Sequence, residues 1–220
     1  MMGSTRLMSH VNTVCDWVIR LLYLNFLWFF FTIVGLVIAG IFPATVALFS
    51  VLQESFQKGE NVRVFKRFWN VYKREFRKAN VLGIIIVMIS IIFYTDWLFT
   101  NQVMGTLGMI AKGILLGSCF VYGITLLYVI PVYLHVNGKL FTTMKLAFLI
   151  GITYPQYTFF MLLSIVSIML VSFLLPMAGY LFFISGIGSV LMYFSIHVIK
   201  KVEERQKITK PGKSRLIIHN

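Results

Sequence analysis

The side chains best suited to bind another molecule lie in a basic, aromatic segment over residues 62–79. Its large apolar residues recur at spacings of three and four, so a helix would gather them on one face, while seven Lys and Arg residues take most of the other positions. Such a helix is typical of a membrane interface, with rings at the acyl boundary and cations among lipid phosphates. The residues predicted to contact lipid or a partner protein are Phe65, Phe68, Trp69, Tyr72, Lys73 and Phe76.

Reactive side chains are sparse in the rest of the chain, which has seven acids and four histidines in all. Most of them lie at the predicted ends of apolar segments or in the terminal segments. They show none of the spacings that are typical of metal sites, nucleophile elbows or phosphate loops. Cys15 and Cys119 are far apart in the sequence and are predicted to be two small, buried side chains. We therefore expect a non-catalytic protein with no cofactor and no metal.

The composition indicates a membrane protein. Of 220 residues, 59% are hydrophobic and only 12% are charged, and the mean hydropathy is +0.86. This leaves too little polar surface to cover a soluble globule of that size. The net charge of +13 lies beside apolar segments, where it sets membrane orientation, so we expect no nucleic-acid partner. The predicted fold is an all-α polytopic membrane helix bundle, with a single domain over 1–200 and a basic cytoplasmic tail over 201–220.

Five apolar segments are long enough to cross a bilayer. They cover residues 21–39, about 81–95, about 110–134, 157–175 and 180–199. Between the first two lies a shorter apolar helix. Gly40 and Pro43 are predicted to break the chain there, because proline suits the first turn of a new helix. Asn25 within the first span is predicted to hydrogen-bond a neighbouring helix.

The short helix that begins at Pro43 leaves two arrangements open. If it crosses the membrane, the protein has six spans and a cytoplasmic N-terminus; if it lies flat on the inner surface, there are five spans and the N-terminus is outside. Six spans put 19 of the 20 Lys and Arg residues on the cytoplasmic side, with Lys112 near the outer face. Five spans move Arg6 and Arg20 outward. The distribution therefore favours six spans and two cytoplasmic termini.

Two helix faces carry small residues at a spacing of four. They are Gly113-x-x-x-Gly117 and Ser185-x-x-x-Ser189. Small residues let a neighbouring backbone approach closely, so both faces are predicted to pack against another helix. We expect this packing within the chain, and a docking face for another membrane protein is the alternative.

Three stretches resemble the YesL-like family of bacterial integral membrane proteins of unknown function. They are residues 24–28 (LNFLW), 40–49 (GIFPATVALF) and 68–80 (FWNVYKREFRKAN). The resemblance implies a multi-pass protein of the bacterial plasma membrane, often encoded beside ABC-type carbohydrate importers and glycan-degrading enzymes. It implies no catalytic residues.

The expected function is that of a non-catalytic accessory protein. It would pack against the permease of an ABC sugar importer and assist its assembly, stability or regulation, with anionic lipid as a second partner. The alternative is a small transporter that acts alone, and this would need a polar cavity. The residues suited to line such a cavity are Asn25, Tyr122, Thr125 and Tyr128. A signalling role through the basic surface is also compatible with the sequence.

Overall fold

Helices make up almost all of the chain that the structure describes. The computed structural model describes residues 2–59, 62–136 and 139–209, and within these ranges it has seven α-helices and no β-strand. The helices are α1 (Met2–Val34), α2 (Ile38–Lys58), α3 (Val64–Gln102), α4 (Thr106–His135), α5 (Leu140–Thr153), α6 (Pro155–Leu174) and α7 (Pro176–Thr209).

Six of these helices have the length and composition of membrane spans. The apolar stretches that qualify lie in α1, α2, α3, α4, α6 and α7. α2, the helix whose fate the sequence left open, has 21 residues and is about 31 Å long, which matches a hydrocarbon thickness of about 30 Å. The prediction of a polytopic membrane helix bundle is confirmed.

α5 is the exception, and the sequence did not predict it as a separate helix. Its 14 residues extend for only about 21 Å, which is too short to cross the bilayer. It ends at Thr153 because Pro155 disfavours the helical conformation at the preceding Tyr154 and has no backbone N–H to donate. Pro155 begins α6, as predicted.

The break between α1 and α2 lies at Gly35–Val37, so the prediction of a break at Gly40 and Pro43 is wrong. Leu36 and Val37 both have φ of 60°, a left-handed conformation that is rare for such side chains. Pro43 is the sixth residue of α2 and is tolerated so close to its start. Gly40 instead permits close packing, since a Cβ on Gly35 would lie 2.4 Å from the Gly40 Cα.

Contacts within the chain define two compact units. The first contains residues 1–76 and 160–194, and the second contains residues 77–159 and 195–220. α2 supplies much of the core of the first unit, with Ala44, Ala47, Leu48, Val51 and Leu52 all fully buried.

The small-residue face of α7 packs inside the first unit. Ser185 is fully buried. The Ser189 hydroxyl donates to the Ser185 carbonyl over 2.7 Å. A Cβ on Gly188 would lie 2.9 Å from Leu48 and 3.2 Å from Leu52, so α7 and α2 meet with no room for a side chain there. Packing within the chain is therefore confirmed for this face.

The predicted tail begins as ordered helix, because α7 continues to Thr209. In the second unit, Glu203 lies 3.1 Å from the His135 Nε2 atom. The Arg205 guanidinium lies 5.5 Å from the centre of the Tyr154 ring. A tail that starts at residue 201 is thus wrong for its first residues, whose side chains contact protein. Residues 210–220 lie outside the described residues.

Both cysteines are exposed, so the prediction that they are buried is wrong. Burial of free cysteine is a tendency of soluble proteins. On a membrane helix an outward-facing site is also apolar, because it meets lipid. Cys15 lies in α1 and Cys119 lies in α4.

We expect substitution of Gly188 by Val to destabilise the protein by about 1–3 kcal/mol, because the new side chain would overlap Leu48 and Leu52. Gly123→Val is the matched control, since nothing lies within 4 Å of a Cβ there. Denaturant titration in detergent micelles measures both. Equal stability of the two variants would contradict the packing described.

Candidate functional site

The basic aromatic segment forms the start of α3. Residues 62–79 were predicted to form a separate interfacial helix, but α3 continues from Val64 to Gln102 without a break. Its 39 residues extend for about 58 Å, nearly twice the hydrocarbon thickness. The segment has no proline and no glycine before Gly83, so nothing in it ends the helix. A separate helix is therefore wrong, because the basic segment and the following span are one element.

An aromatic cluster attaches the start of α3 to α1. Its centre is Phe31 of α1, which is 4% exposed. The centre of the Phe31 ring lies 6.4 Å from Phe65, 5.2 Å from Phe68 and from Trp69 and 5.0 Å from Tyr72. Rings at positions 0, 3, 4 and 7 of a helix share one face, so all four can surround one ring. Each such pair adds about 0.5–1.5 kcal/mol beyond its burial.

Tyr72 also fixes the end of α1. Its hydroxyl donates to the Phe31 carbonyl over 3.1 Å in a buried hydrogen bond. This carbonyl belongs to the last turn of α1, where backbone acceptors lack partners from the helix itself. A Cβ on Gly35 would lie 2.6 Å from the Tyr72 hydroxyl, so only glycine leaves room for it. The turn between α1 and α2 and the middle of the basic segment are therefore in direct contact.

A second attachment joins α3 to α2 through charge. The Arg67 Nε atom lies 3.0 Å from the Glu54 carboxylate, and it also donates to the Ser50 hydroxyl over 3.0 Å. Lys58 lies 2.9 Å from the other carboxylate oxygen of Glu54. A partly exposed pair of this kind contributes only about 0.2–1 kcal/mol. Its consequence is positional, because it holds the start of α3 alongside α2.

These contacts change the interpretation of the predicted contact face. Phe68 is 0% exposed and Tyr72 is 5% exposed, so the prediction that they contact lipid or a partner is wrong. Trp69 and Phe76 are half-buried. Only Phe65 and Lys73 of the predicted residues are exposed. Spacing alone does not distinguish an apolar face that meets lipid from one that meets another helix, and Phe31 is the partner that the spacing did not reveal.

The opposite side of the segment forms an exposed basic face. Its members are the exposed residues Arg63, Lys66, Lys73, Arg77 and Lys78. The Lys73 ammonium lies 4.1 Å from the centre of the Trp69 ring, a cation–π contact that orients this side chain. Because the aromatic side is held against α1, these cations are directed away from the first unit. Anionic groups are the chemistry that this surface can bind.

Asn25 makes the interhelical contact that the sequence predicted. Its amide nitrogen donates to the carbonyls of Tyr180 and Leu181, over 2.9 and 2.8 Å. The side chain is buried, and its amide oxygen has no hydrogen-bond partner among the described residues. Asn25 therefore joins α1 to α7.

The residues suited to line a transport cavity mostly hydrogen-bond within the protein. The Tyr122 hydroxyl donates to the Ile86 carbonyl over 2.8 Å. The Tyr128 hydroxyl lies 3.0 Å from that of Thr158. The Thr125 hydroxyl donates to the Val121 carbonyl of its own helix.

The glycine face of α4 is open. Nothing lies within 4 Å of a Cβ on Gly113 or on Gly117, so the expectation that they pack within the chain is wrong. Small residues allow close approach, but a second helix must be available to use it.

Sequence reasoning missed Phe31, Gly35 and Glu54 as members of the site. Phe31 stands in a run of three phenylalanines, which reads as ordinary span composition. Glu54 carried a usable signal, because it is the one acid in α2 and an acid in an apolar helix requires a partner.

Comparisons with known proteins agree with this description of the site. Residues 21–97 match a family described as "Protein of unknown function, DUF624". Over 190 residues the chain is 35% identical to the uncharacterized protein YteU of Bacillus subtilis (strain 168), covering 86% of this chain and 85% of that protein. The chain belongs to the YesL-like family.

Two further relatives from the same organism extend the likeness over nearly the full length. The uncharacterized protein YesL is 29% identical over 202 residues, which is 91% of this chain and 94% of that protein. The uncharacterized protein YesV is 29% identical over 191 residues, or 86% and 91%. No solved structure matches the chain. The family match contains the Phe31 cluster, the turn at Gly35 and the basic face together.

We expect Tyr72→Phe to destabilise the protein by about 0.5–1.5 kcal/mol, because it removes the hydrogen bond to Phe31 and leaves the ring in place. Tyr94→Phe is the control, since Tyr94 lies in the same helix and is 64% exposed. Denaturant titration in micelles compares them. Equal effects of the two substitutions would show that the Tyr72 hydroxyl does not hold the turn.

Proposed function

We propose that this protein is a non-catalytic accessory protein of a carbohydrate ABC importer. It acts on the assembly, stability or regulation of the permease, in a bacterial plasma membrane and with both termini in the cytoplasm. Membership of the YesL-like family supports the proposal through the resemblance described above, which implies an association with such importers. The basic face of α3 is the observation that carries it.

The argument from the basic face concerns the surroundings of its cations. α1 and α2 have the composition of membrane spans, and the contact between Tyr72 and Phe31 holds the basic segment beside them. A Lys or Arg in hydrocarbon costs about 2.5–3.5 kcal/mol on insertion scales. Exposed cations beside such helices therefore need water, lipid phosphate or acidic side chains of another protein. An acidic surface on the permease meets this need.

Anionic lipid is the second proposed partner of the same face. Basic residues near the surface of an anionic membrane each contribute about 1 kcal/mol of attraction. Five exposed cations within one segment would hold the start of α3 at the phosphate level. Lipid binding and permease binding are compatible, because a helix presents only part of its basic face to either partner.

The glycine face of α4 supplies an intramembrane contact in this proposal. Gly113 and Gly117 are both exposed and allow a permease helix to approach the backbone closely. Ser185 and Ser189 are used within the chain and are not assigned this role.

An autonomous transporter is the second candidate, and one observation favours it. Glu54 lies in a helix of span length and pairs with Arg67. Ionisable residues within spans often mark a substrate or proton path. Uptake of an oligosaccharide by proteoliposomes that contain this protein alone would decide for the transporter.

The proposal predicts that tagged protein purified in mild detergent from cells that use the sugar retains an ABC permease. Substitution of Lys66, Arg77 and Lys78 together by Gln should reduce the recovered permease at least several-fold, because their charge is lost while the buried aromatic side is unchanged. Lys145→Gln is the control, since it removes an exposed lysine from α5. Quantitative mass spectrometry gives the ratio. Recovery of the unaltered protein without any permease would contradict the accessory role.

The glycine face gives an independent prediction. Gly113 and Gly117 replaced together by Leu should lower permease recovery while membrane insertion is unchanged, because two bulky side chains prevent close helix approach. Gly123→Leu is the control, an equally open position on the same helix but on a different face. If both variants retain the permease equally, α4 does not provide the contact.

A further inference from the structure

A shallow groove lies where the span of α1 begins. It has a volume of about 320 Å³ and is lined by Asp16, Ile19, Arg20, Tyr23 and Val64. The first four residues follow each other at helical spacing along one side of α1, and Val64 is the first residue of α3. The volume is at the low end of the range for small-ligand sites, which suits a headgroup and not a whole lipid.

The two charged residues of the groove are not paired with each other. Asp16 and Arg20 are one helical turn apart with the acid first, the favourable order for an ion pair. The Arg20 guanidinium instead donates to the Gly59 carbonyl over 3.2 Å, and it lies 5.4 Å from the centre of the Trp17 ring. Asp16 has no ion pair in the part of the chain whose side chains are described. The groove thus presents separate negative and positive groups.

The position of the groove is that of lipid headgroups. Long apolar sequence begins immediately after Arg20. Tyr23 and Trp17 are residues of the kind that collect at the boundary between hydrocarbon and water. A ligand in the groove therefore has one end among polar groups and the other in the acyl region, where Ile19 and Val64 lie.

We propose that this groove binds the headgroup of phosphatidylethanolamine. Arg20 binds the phosphate, Asp16 accepts hydrogen bonds from the ammonium group, and the apolar residues contact the first acyl carbons. The acid decides the lipid class. A protein with a net charge of +13 attracts anionic lipids at any basic surface, but a carboxylate at the headgroup level repels them and selects an ammonium group. This site is separate from the basic face and does not depend on the accessory role.

Native mass spectrometry of the full chain tests the proposal. The protein is released from detergent that contains equal amounts of phosphatidylethanolamine and phosphatidylglycerol with the same acyl chains. We expect one bound phosphatidylethanolamine in about tenfold excess over phosphatidylglycerol, the ratio that one charge-assisted hydrogen bond can give. Asp16→Asn should bring the ratio close to one, and Asp16→Glu should restore the preference. Arg20→Gln should weaken retention of both lipids.

Asp96→Asn is the matched control, because Asp96 is an exposed acid that lines a different groove, between α3 and α4. It should leave the preference intact. Equal retention of the two lipids by the unaltered protein would overturn the proposal. So would a preference for phosphatidylethanolamine that persists in Asp16→Asn or disappears in Asp96→Asn, since the ammonium group would then be recognised elsewhere.

Discussion

The packing of four α3 rings around Phe31 is the constraint on which the candidate site depends. It buries one side of the basic segment against α1, and the Tyr72 hydroxyl extends this contact to the turn between α1 and α2. Because the aromatic side is occupied, the cations of the segment can only face outward. The surface available to a partner is therefore basic and not aromatic, a reversal of the usual reading of an amphipathic helix at a membrane.

The continuity of α3 adds a second constraint. One helix contains both the basic face and an apolar span, so attachment of its first turns to α1 also sets where that span begins. The pair between Arg67 and Glu54 contributes little free energy but fixes the same register along α2. A partner that binds the basic face would thus act on a rigid element that enters the membrane, and not on a flexible loop. This is a suitable arrangement for a protein that stabilises or regulates another membrane protein.

Much of the architecture was predictable because hydrophobic spacing and length report directly on membrane spans. The six long apolar helices, the start of α6 at Pro155 and the interhelical role of Asn25 follow from local sequence. The site was less predictable, because it depends on which elements meet. The turn at Gly35 was missed since glycine serves there for close packing with Gly40. The burial of Phe68 and Tyr72 was missed since their partner, Phe31, is 37 or more residues away and resembles any span residue.

The central claim is that the start of α3 is attached to α1 and does not lie free in the lipid interface. Replacement of Phe31 by a photoreactive phenylalanine analogue tests it most directly, in membranes and with the rest of the chain unchanged. The attachment predicts an intramolecular crosslink from position 31 to the peptide that contains Phe68 and Tyr72, identified by mass spectrometry after digestion. Crosslinks from position 31 to lipid, with none to that peptide, would contradict it and return the aromatic side of the segment to the membrane.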